Sequence, residues 1–409
     1  MKPGIIIANS VTFLDLTGDD NRHTVDEASK TVPCPVHFVR VPGYEGDLFS
    51  GYAAVVLAVA RGLDWNRAPE SPKAVSIAGY FFDRYEGDNL GNLTQLSSLL
   101  KSIGCTLKTT LFSGAAYADL AHAPDAGTLL AFPVMHPHIR RLKRWTKRDP
   151  VPTDLPMGIQ GTAQWLRTVG KATGANPGRV EQIIEAQRHR TLQRLRMSRM
   201  ALGGMRVAVF ADLPHSVGLL NVLHDLGCTP VLLGIRGHTL GGRDALFEAA
   251  RRTGAPINPD MPIFENPSIH RVRSEMERLI AEKQVDALIG SSTDINAVST
   301  LDMNIALNRD HGGMWTGAGP KIIEFGFPSP IGFNVGAWLD EYLGDATLVD
   351  TLRFRLATRD SSMLIGFTPI DGYTPFIGDY AKGAETLETR KAELLNGRKL
   401  PVKQYSPNR

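Results

Sequence analysis

Val36-His-Phe-Val-Arg-Val41 followed by Pro42-Gly-Tyr-Glu-Gly-Asp-Leu-Phe-Ser-Gly-Tyr-Ala-Ala-Val55 is the stretch from which the fold is read. The first six residues form a short β-branched and aromatic run, which predicts a buried strand. Pro42 and Gly43 end it, and Gly46 allows a tight, left-handed backbone. Ser50 is positioned to cap a helix over residues 49–63 that buries Ala53, Val55, Val56 and Val59. Strand, glycine-punctuated turn and helix in this order place the turn at the carboxyl end of a parallel strand, where open α/β sheets hold their ligands.

Outward from this turn the same alternation continues. Apolar runs at 5–8, 74–78, 107–112 and 129–132 read as strands, with helical patterns at 92–103 and 116–121 between them. A long helical stretch from 159 to 200 is interrupted at Asn176-Pro-Gly178, and residues 179–202 read as one bridging helix ended by Gly203-Gly204. A second series then opens: strand 206–210, helix 216–226, strand 230–233, helix 269–283, strand 285–290 and strand 321–325. The fold class expected is α/β, with two to three Rossmann-like domains whose parallel sheets are flanked by helices. The divisions expected are 1–150, a linking helical segment at 151–203, a C-terminal Rossmann-like domain at 204–345, and a polar tail at 346–409 with a short helix at 385–395.

With 409 residues, 43% of them apolar, the chain has material for several cores, and a net charge of +3 argues against a dedicated nucleic-acid surface. The basic run Arg140-Arg-Leu-Lys-Arg-Trp-Thr-Lys-Arg148 reads as a solvated helix face or a local docking patch for acid. No stretch is apolar for long enough to span a membrane, and Met1-Lys-Pro-Gly-Ile5 lacks the layout of a signal peptide. Cys34, Cys105 and Cys228 are scattered with no CxxC, as expected of a cytoplasmic chain, and Cys105 and Cys228 read as small buried hydrophobes.

The usual signatures of phosphate and metal chemistry are missing: no GxGxxG follows the first strand, and there is no Walker loop and no HExxH. Five polar residues remain as candidates for an inter-domain cleft. They are His136 and His138 of His136-Pro-His138, Asp212 and His215 of Phe210-Ala-Asp-Leu-Pro-His-Ser216, and Asp294 of Gly290-Ser-Ser-Thr-Asp294. Each is equally readable as turn or cap chemistry, and the two histidines lack a nearby third ligand, so no metal site is assigned.

Several segments, taken in order, resemble the nitrogenase component-1 superfamily. This superfamily includes the nitrogenase α and β subunits, their cofactor-assembly scaffolds and the dark-operative protochlorophyllide and chlorophyllide reductases. Leu16-Thr-Gly-Asp-Asp20 is similar to its Gly-Asp-Asp segment, and Val41-Pro-Gly-Tyr-Glu-Gly46 with Ser50-Gly-Tyr52 to its proline-glycine turn. Leu155-Pro-Met-Gly-Ile-Gln-Gly-Thr-Ala-Gln-Trp-Leu166 resembles the entry to its linking helix. Gly204-Met-Arg-Val-Ala-Val-Phe-Ala-Asp212 through Asp225-Leu-Gly-Cys-Thr-Pro-Val-Leu232 resembles the opening of its third domain. Phe325-Gly-Phe-Pro328 and Ile331-Gly-Phe-Asn-Val-Gly-Ala337 look like its late glycine-phenylalanine elements.

The resemblance implies a β-like subunit that pairs with an α-like subunit into a heterotetramer and receives electrons from an ATP-dependent iron–sulfur reductase. Thr12, Gly43, Tyr44, Glu45 and Gly46 would then lie at the interface nearest an iron–sulfur cluster. That cluster would be supplied mainly by the partner, because Thr12 stands where the family has a cluster cysteine and Phe132-Pro-Val134 has no thiol where the α-type subunit has one. The family's N-terminal cysteine-bearing segment has no counterpart here: either the subunit does without it or it belongs to an upstream stretch of the reading frame. Two other readings stay open, a non-catalytic scaffold for cofactor assembly and a Rossmann-type protein that binds a small polar molecule.

Overall fold

The computed structural model describes residues 3–301 except 11, 18–20, 42, 81–87, 114–115, 292–293, 295–296 and 299–300, together with 304–307, 314–316, 321–324 and 332–333. The Gly18-Asp-Asp20 segment, Phe325-Gly-Phe-Pro328, residues 334–345 and the tail at 346–409 lie outside the described residues.

The chain begins with β1 (Ile6–Asn9), α1 (Thr12–Thr17), α2 (Asn21–Ser29), β2 (Val36–Val39) and α3 (Leu48–Gly62). β1 and β2 pair in parallel, Ile6 opposite Val36, as a two-stranded sheet. There follow β3 (Ser71–Ala78), α4 (Asp88–Ser102), β4 (Thr106–Thr110), α5 (Tyr117–Leu120), β5 (Ala126–Ala131), α6 (Ile139–Thr146) and β6 (Val151–Pro152). These strands form a parallel sheet in the order β4-β3-β5-β6, and Pro152, which has no amide to donate, sits on its edge strand.

Three helices, α7 (Gly158–Thr173), α8 (Pro177–Arg194) and α9 (Arg196–Leu202), lead to the last sheet. The bridging helix expected as one piece is divided at Leu195, a fully buried residue between α8 and α9. The Asn176 side chain accepts the Arg179 amide at 3.0 Å with Pro177 in the first turn, so the predicted break is a built start. The remaining elements are β7 (Arg206–Asp212), α10 (Leu213–Leu226), β8 (Thr229–Arg236), α11 (Arg243–Thr253), β9 (Ile263–Glu265), α12 (Ile269–Ala281), β10 (Ala287–Gly290), β11 (Asn304–Leu307), β12 (Met314–Thr316) and β13 (Lys321–Glu324). Their sheet runs β12-β11-β13-β10-β7-β8-β9, parallel except for the β11–β12 pair. β7 is an interior strand, between β10 and β8, and is buried on both faces from Val207 to Phe210, which is why it reads as a continuous apolar run rather than an alternating one.

The parallel α/β layering expected from the sequence is what the chain adopts. One continuous core joins the second and third sheets, running from Val75, Ile77 and Leu100 through Trp165 and Leu166 of α7 and Leu219 and Leu223 of α10 to Val207 and Val209. A second core packs α3 and α6 on the other face of the second sheet, through Val56, Leu57, Leu129 and Leu142. Val55, expected inside, is only half-buried; Leu57 and Ala60 take its place on the inner face of α3. Cys105 and Cys228 are buried as expected, and burial pushes the Cys228 thiol up to about 12. No described helix is long and apolar enough to cross a membrane.

Candidate functional site at the β2–α3 turn

The turn after β2 is held from three directions. Inside it, Asp47 rather than Ser50 is the N-cap of α3: the Asp47 carboxylate accepts the Ser50 amide at 3.0 Å, and Ser50 Oγ accepts the Asp47 amide at 2.9 Å. Ser50 is therefore the third helical residue of a reciprocal capping box. Gly46 is not left-handed; a Cβ there would collide with Ser50 Oγ, so the requirement for glycine comes from the close approach of the capping hydroxyl.

From α1, Thr12 Oγ1 accepts the Gly43 amide at 3.0 Å. A side chain on Gly43 would meet that hydroxyl at 2.9 Å, so the turn and Thr12 are fitted to one another. Along the turn, Arg40 pairs with Glu45 at 3.1 Å and donates to the Tyr44 hydroxyl at 3.3 Å. The structure thus brings Thr12 and Gly43 to Gly46, the five residues singled out in the sequence, together at one turn.

From the third sheet comes a contact that sequence reasoning missed. Asp47 Oδ2 accepts the Thr239 amide at 3.0 Å, Oδ1 accepts the Thr239 hydroxyl, and His238 Nδ1 lies 3.5 Å from Oδ2. Burial alone would raise the Asp47 carboxyl; the bonds from Thr239 and Ser50, with His238 beside them, outweigh it and hold the group below the usual carboxylate range. Phe49 packs on Gly237 in the same loop, where a Cβ would come within 2.6 Å of the ring. The only signal available in the sequence was Asp47 three residues ahead of Ser50; nothing pointed to Thr239, 192 positions away.

The surface around the turn is unusually apolar. Of six large hydrophobic side chains that stand exposed among the described residues, four are here: Phe13 (70% exposed), Leu16 (71%), Tyr44 (54%) and Leu48 (65%). Exposed apolar side chains gathered on segments that touch one another, as α1 and the turn do through Thr12 and Gly43, mark interaction sites.

The other candidates go elsewhere. Asp212 and His215 pair at 2.7 Å, both buried, at the start of α10, where Asp212 is the N-cap; Ser216 donates to the Ala211 carbonyl instead of capping. Asp294, fully buried, caps the Ser291 amide at 2.9 Å and binds Arg236. His136 and His138 lie on a 3₁₀ turn, Pro133–His138, rather than on an extended segment, and His138 takes no part in the hydrogen bonds that hold His136.

An iron–sulfur cluster is held by thiolates. The residues at this face do not fit that role: Thr12 supplies a hydroxyl already engaged with Gly43, and the three cysteines of the chain stand at the separate approaches to β2, β4 and β8, two of them buried. Among the described residues no three His, Cys, Asp or Glu side chains converge as a metal site.

The family model for nitrogenase component 1 type oxidoreductases matches residues 2–311. The nitrogenase molybdenum-iron protein beta chain of Rippkaea orientalis (strain PCC 8801 / RF-1) is 24% identical over 320 residues, which is 71% of this chain and 59% of that one. The corresponding beta chain of Azotobacter vinelandii is 23% identical over 322 residues, 71% of this chain and 58% of its own length. The chain therefore spans about three-fifths of the curated relatives it matches. A solved nitrogenase Cp1 structure at pH 6.5 superposes with a TM-score of 0.63 at 16% identity, covering 86% of this chain and 77% of that one; the likeness is one of fold. Matched by the family model over residues 2–311, most of its length, the chain belongs to the nitrogenase component 1 type oxidoreductase family.

Proposed function

We propose that this chain is a β-like subunit of a nitrogenase-type reductase complex, and that the β2–α3 turn face is where it meets an α-like subunit. The observation that carries the reading is the concentration of exposed apolar side chains, Phe13, Leu16, Tyr44 and Leu48, around the turn that resembles the family's proline-glycine turn. Burying such side chains is favourable by roughly 25 cal/mol per Å² of apolar surface, which makes this face the natural seat of a stable partner. Thr12 and Gly43 to Gly46 form the wall next to the partner's cluster. The cluster itself is a cargo of the partner, since this chain offers a hydroxyl and backbone amides there and no thiolate. Electrons come from an ATP-dependent iron–sulfur reductase docking on the assembled, cytoplasmic heterotetramer, and the reaction class is reduction.

Co-expression with an α-like subunit from the same genome tests this reading. A stable complex is expected on gel filtration, with iron that the separate chain does not carry. Phe13→Asp combined with Leu48→Asp is expected to weaken association at least tenfold while leaving the melting temperature of the isolated chain nearly unchanged, because both side chains are largely exposed. Association that survives both charges overturns the assignment of the face.

The same lack of thiols at the face favours one second reading, a non-catalytic scaffold on which a metal cofactor is assembled. The two separate on whether the purified complex turns over a reducible substrate with reductase and ATP, or only passes its metal to an acceptor protein.

A further inference from the structure

α6 presents a charged face that plays no part in the β2–α3 turn. Its sequence, Ile139-Arg-Arg-Leu-Lys-Arg-Trp-Thr146, contains no acid. Leu142 and Thr146 are buried, and Ile139 and Trp145 pack partly buried against the second core, which fixes the rotation of the helix. Arg140, Arg141 and Arg144 are left exposed. At positions i, i+1 and i+4 they share one side of the helix. The end of the helix is tied down. Lys147, left-handed at the C-cap, donates its amide to the Lys143 carbonyl at 2.9 Å, and the Arg148 guanidinium donates to the carbonyls of Arg67 at 3.0 Å and Pro124 at 3.2 Å.

No carboxylate among the described residues pairs with these three arginines. Asp149 is taken by Lys143, and Lys147 is held by the Asn66 side chain. α6 packs on α3 and on the Pro133–His138 turn, and neither contains an Asp or a Glu. α12 shows the ordinary arrangement of a solvated charged helix: Arg271, Arg273 and Arg278 each pair with a glutamate four residues on, Glu275, Glu277 and Glu282. α6 departs from that arrangement and from its own dipole as well. Arg140 and Arg141 stand in its first turn, where cations are disfavoured, and no acid offsets them there. Burial, and then the Arg141 charge, hold His138 below the usual imidazole value, so that ring stays neutral and the positive field comes from the arginines.

We propose that the outer face of α6, through Arg140, Arg141 and Arg144, docks a carboxylate-rich surface of a partner protein. Guanidinium forks suit bidentate pairing with carboxylates. A helix whose rotation is already fixed presents them in place before the partner arrives. Three features favour a protein over the other polyanions. The eight residues of α6 span about 12 Å, the reach of a few carboxylates. Trp145, the one aromatic residue of α6, packs against the core and offers no ring on this face for a base to stack on. The apolar side chains of the helix face the core too, so none is left to enter a lipid surface. A net charge of only +3 over the whole chain fits a local contact rather than a general polyanion surface. The face stands apart from the β2–α3 turn, and its test needs no α-like subunit.

Fluorescently labelled poly-L-glutamate is a suitable probe, with oligothymidylate of equal charge and phosphatidylserine vesicles as the competing polyanions. The full chain is expected to bind poly-L-glutamate saturably at low salt, more tightly than either competitor, and to release it as salt approaches about 1 M, where the screening length falls to about 3 Å. The triple variant Arg140→Gln, Arg141→Gln, Arg144→Gln is expected to weaken binding about tenfold, roughly two- to threefold for each arginine. Its melting temperature should match the parent's, since all three side chains are exposed. The triple variant Arg190→Gln, Arg194→Gln, Arg196→Gln, at exposed positions of α8 and α9, removes the same charge and is expected to leave binding intact. Equal losses in the two triple variants overturn the proposal, because binding then follows net charge and not this face. It is overturned as well by the absence of saturable binding, by binding that survives the α6 substitutions, or by an oligonucleotide or vesicle that binds as tightly as poly-L-glutamate.

Discussion

Asp47→Ala is expected to lower the folding stability of the chain by about 3 kcal/mol, because the residue does two jobs with one carboxylate. As N-cap of α3 it satisfies the Ser50 amide, a role worth about 1 kcal/mol. It also takes an amide and a hydroxyl from Thr239, and hydrogen bonds to a charged acceptor contribute about 1.5–3 kcal/mol. Asp47→Asn keeps the cap geometry and loses the charge, so it should fall between the two. The pH dependence has a definite sign. The folded-state pKa is depressed, so this stabilisation is present above the ordinary carboxylate value of 3.8 and fades as pH falls through the folded value. Urea titrations of the parent and the Asp47→Ala chain should therefore differ at pH 7 and converge at the lowest pH at which both still fold. A constant gap across that range would mean that Asp47 acts through packing and not through its charge.

Asp225→Asn is expected to work in the opposite direction. The Asp225 carboxyl sits on the inner side of α10 and accepts the Ile159 amide at 2.8 Å, which makes it a cap on α7 delivered from another helix. Burial raises it to about 7, against the Ile159 amide and the nearby Arg199, which pull it down. A carboxyl whose folded pKa is raised binds its proton in the native state where the unfolded chain has released it. Stability then falls as pH climbs from about 4 to about 7 and stays lower above that. A raise from 3.8 to about 7 corresponds to at most about 4 kcal/mol. Asparagine retains an acceptor for Ile159 and carries no charge, so the variant should be more stable than the parent at pH 8.5, by about 2–4 kcal/mol, with the gap closing toward pH 4. Asp225→Ala removes the acceptor as well and should be destabilised at every pH. An Asn variant no better than Ala at pH 8.5 would show that Asp225 is stable there as an anion.

What the sequence disclosed and what it withheld divide along physical lines. β7 and α10 were legible because a doubly buried strand is a continuous apolar run and a buried helix has no polar face to confuse the pattern; the structure lengthens both by a few residues at their junction, where Asp212 is the cap. α11 went unread because its buried stripe, Leu246, Ala249, Ala250 and Thr253, is made mostly of small residues set among charges, which leaves little apolar contrast. β9 is three residues long, shorter than any run that periodicity resolves. At the turn, family resemblance grouped Thr12 with Gly43 to Gly46, but the hydrogen bond between Thr12 and Gly43 was not foreseen, since no local rule links two residues 31 positions apart. The same limit hid Thr239 and the apolar face: exposure is a property of the folded surface, and Phe13 and Leu16 are indistinguishable in sequence from core residues.

The two-stranded first sheet bears on how the protein opens. No side chain of α2 is buried, and Val39 alone is buried among the eight residues of β1 and β2. The second and third sheets, by contrast, share one unbroken core. Among the described elements, amide hydrogen exchange should therefore be faster in β1, α2 and β2 than in β3, β7 and α10, with the two larger sheets exchanging together as one cooperative unit. The exposed apolar face is thus built partly on the lightly buried segment around β1 and β2. Occupancy of that surface should slow exchange in β1 and β2 far more than in β7, so that the protection pattern of this small sheet reports directly on assembly.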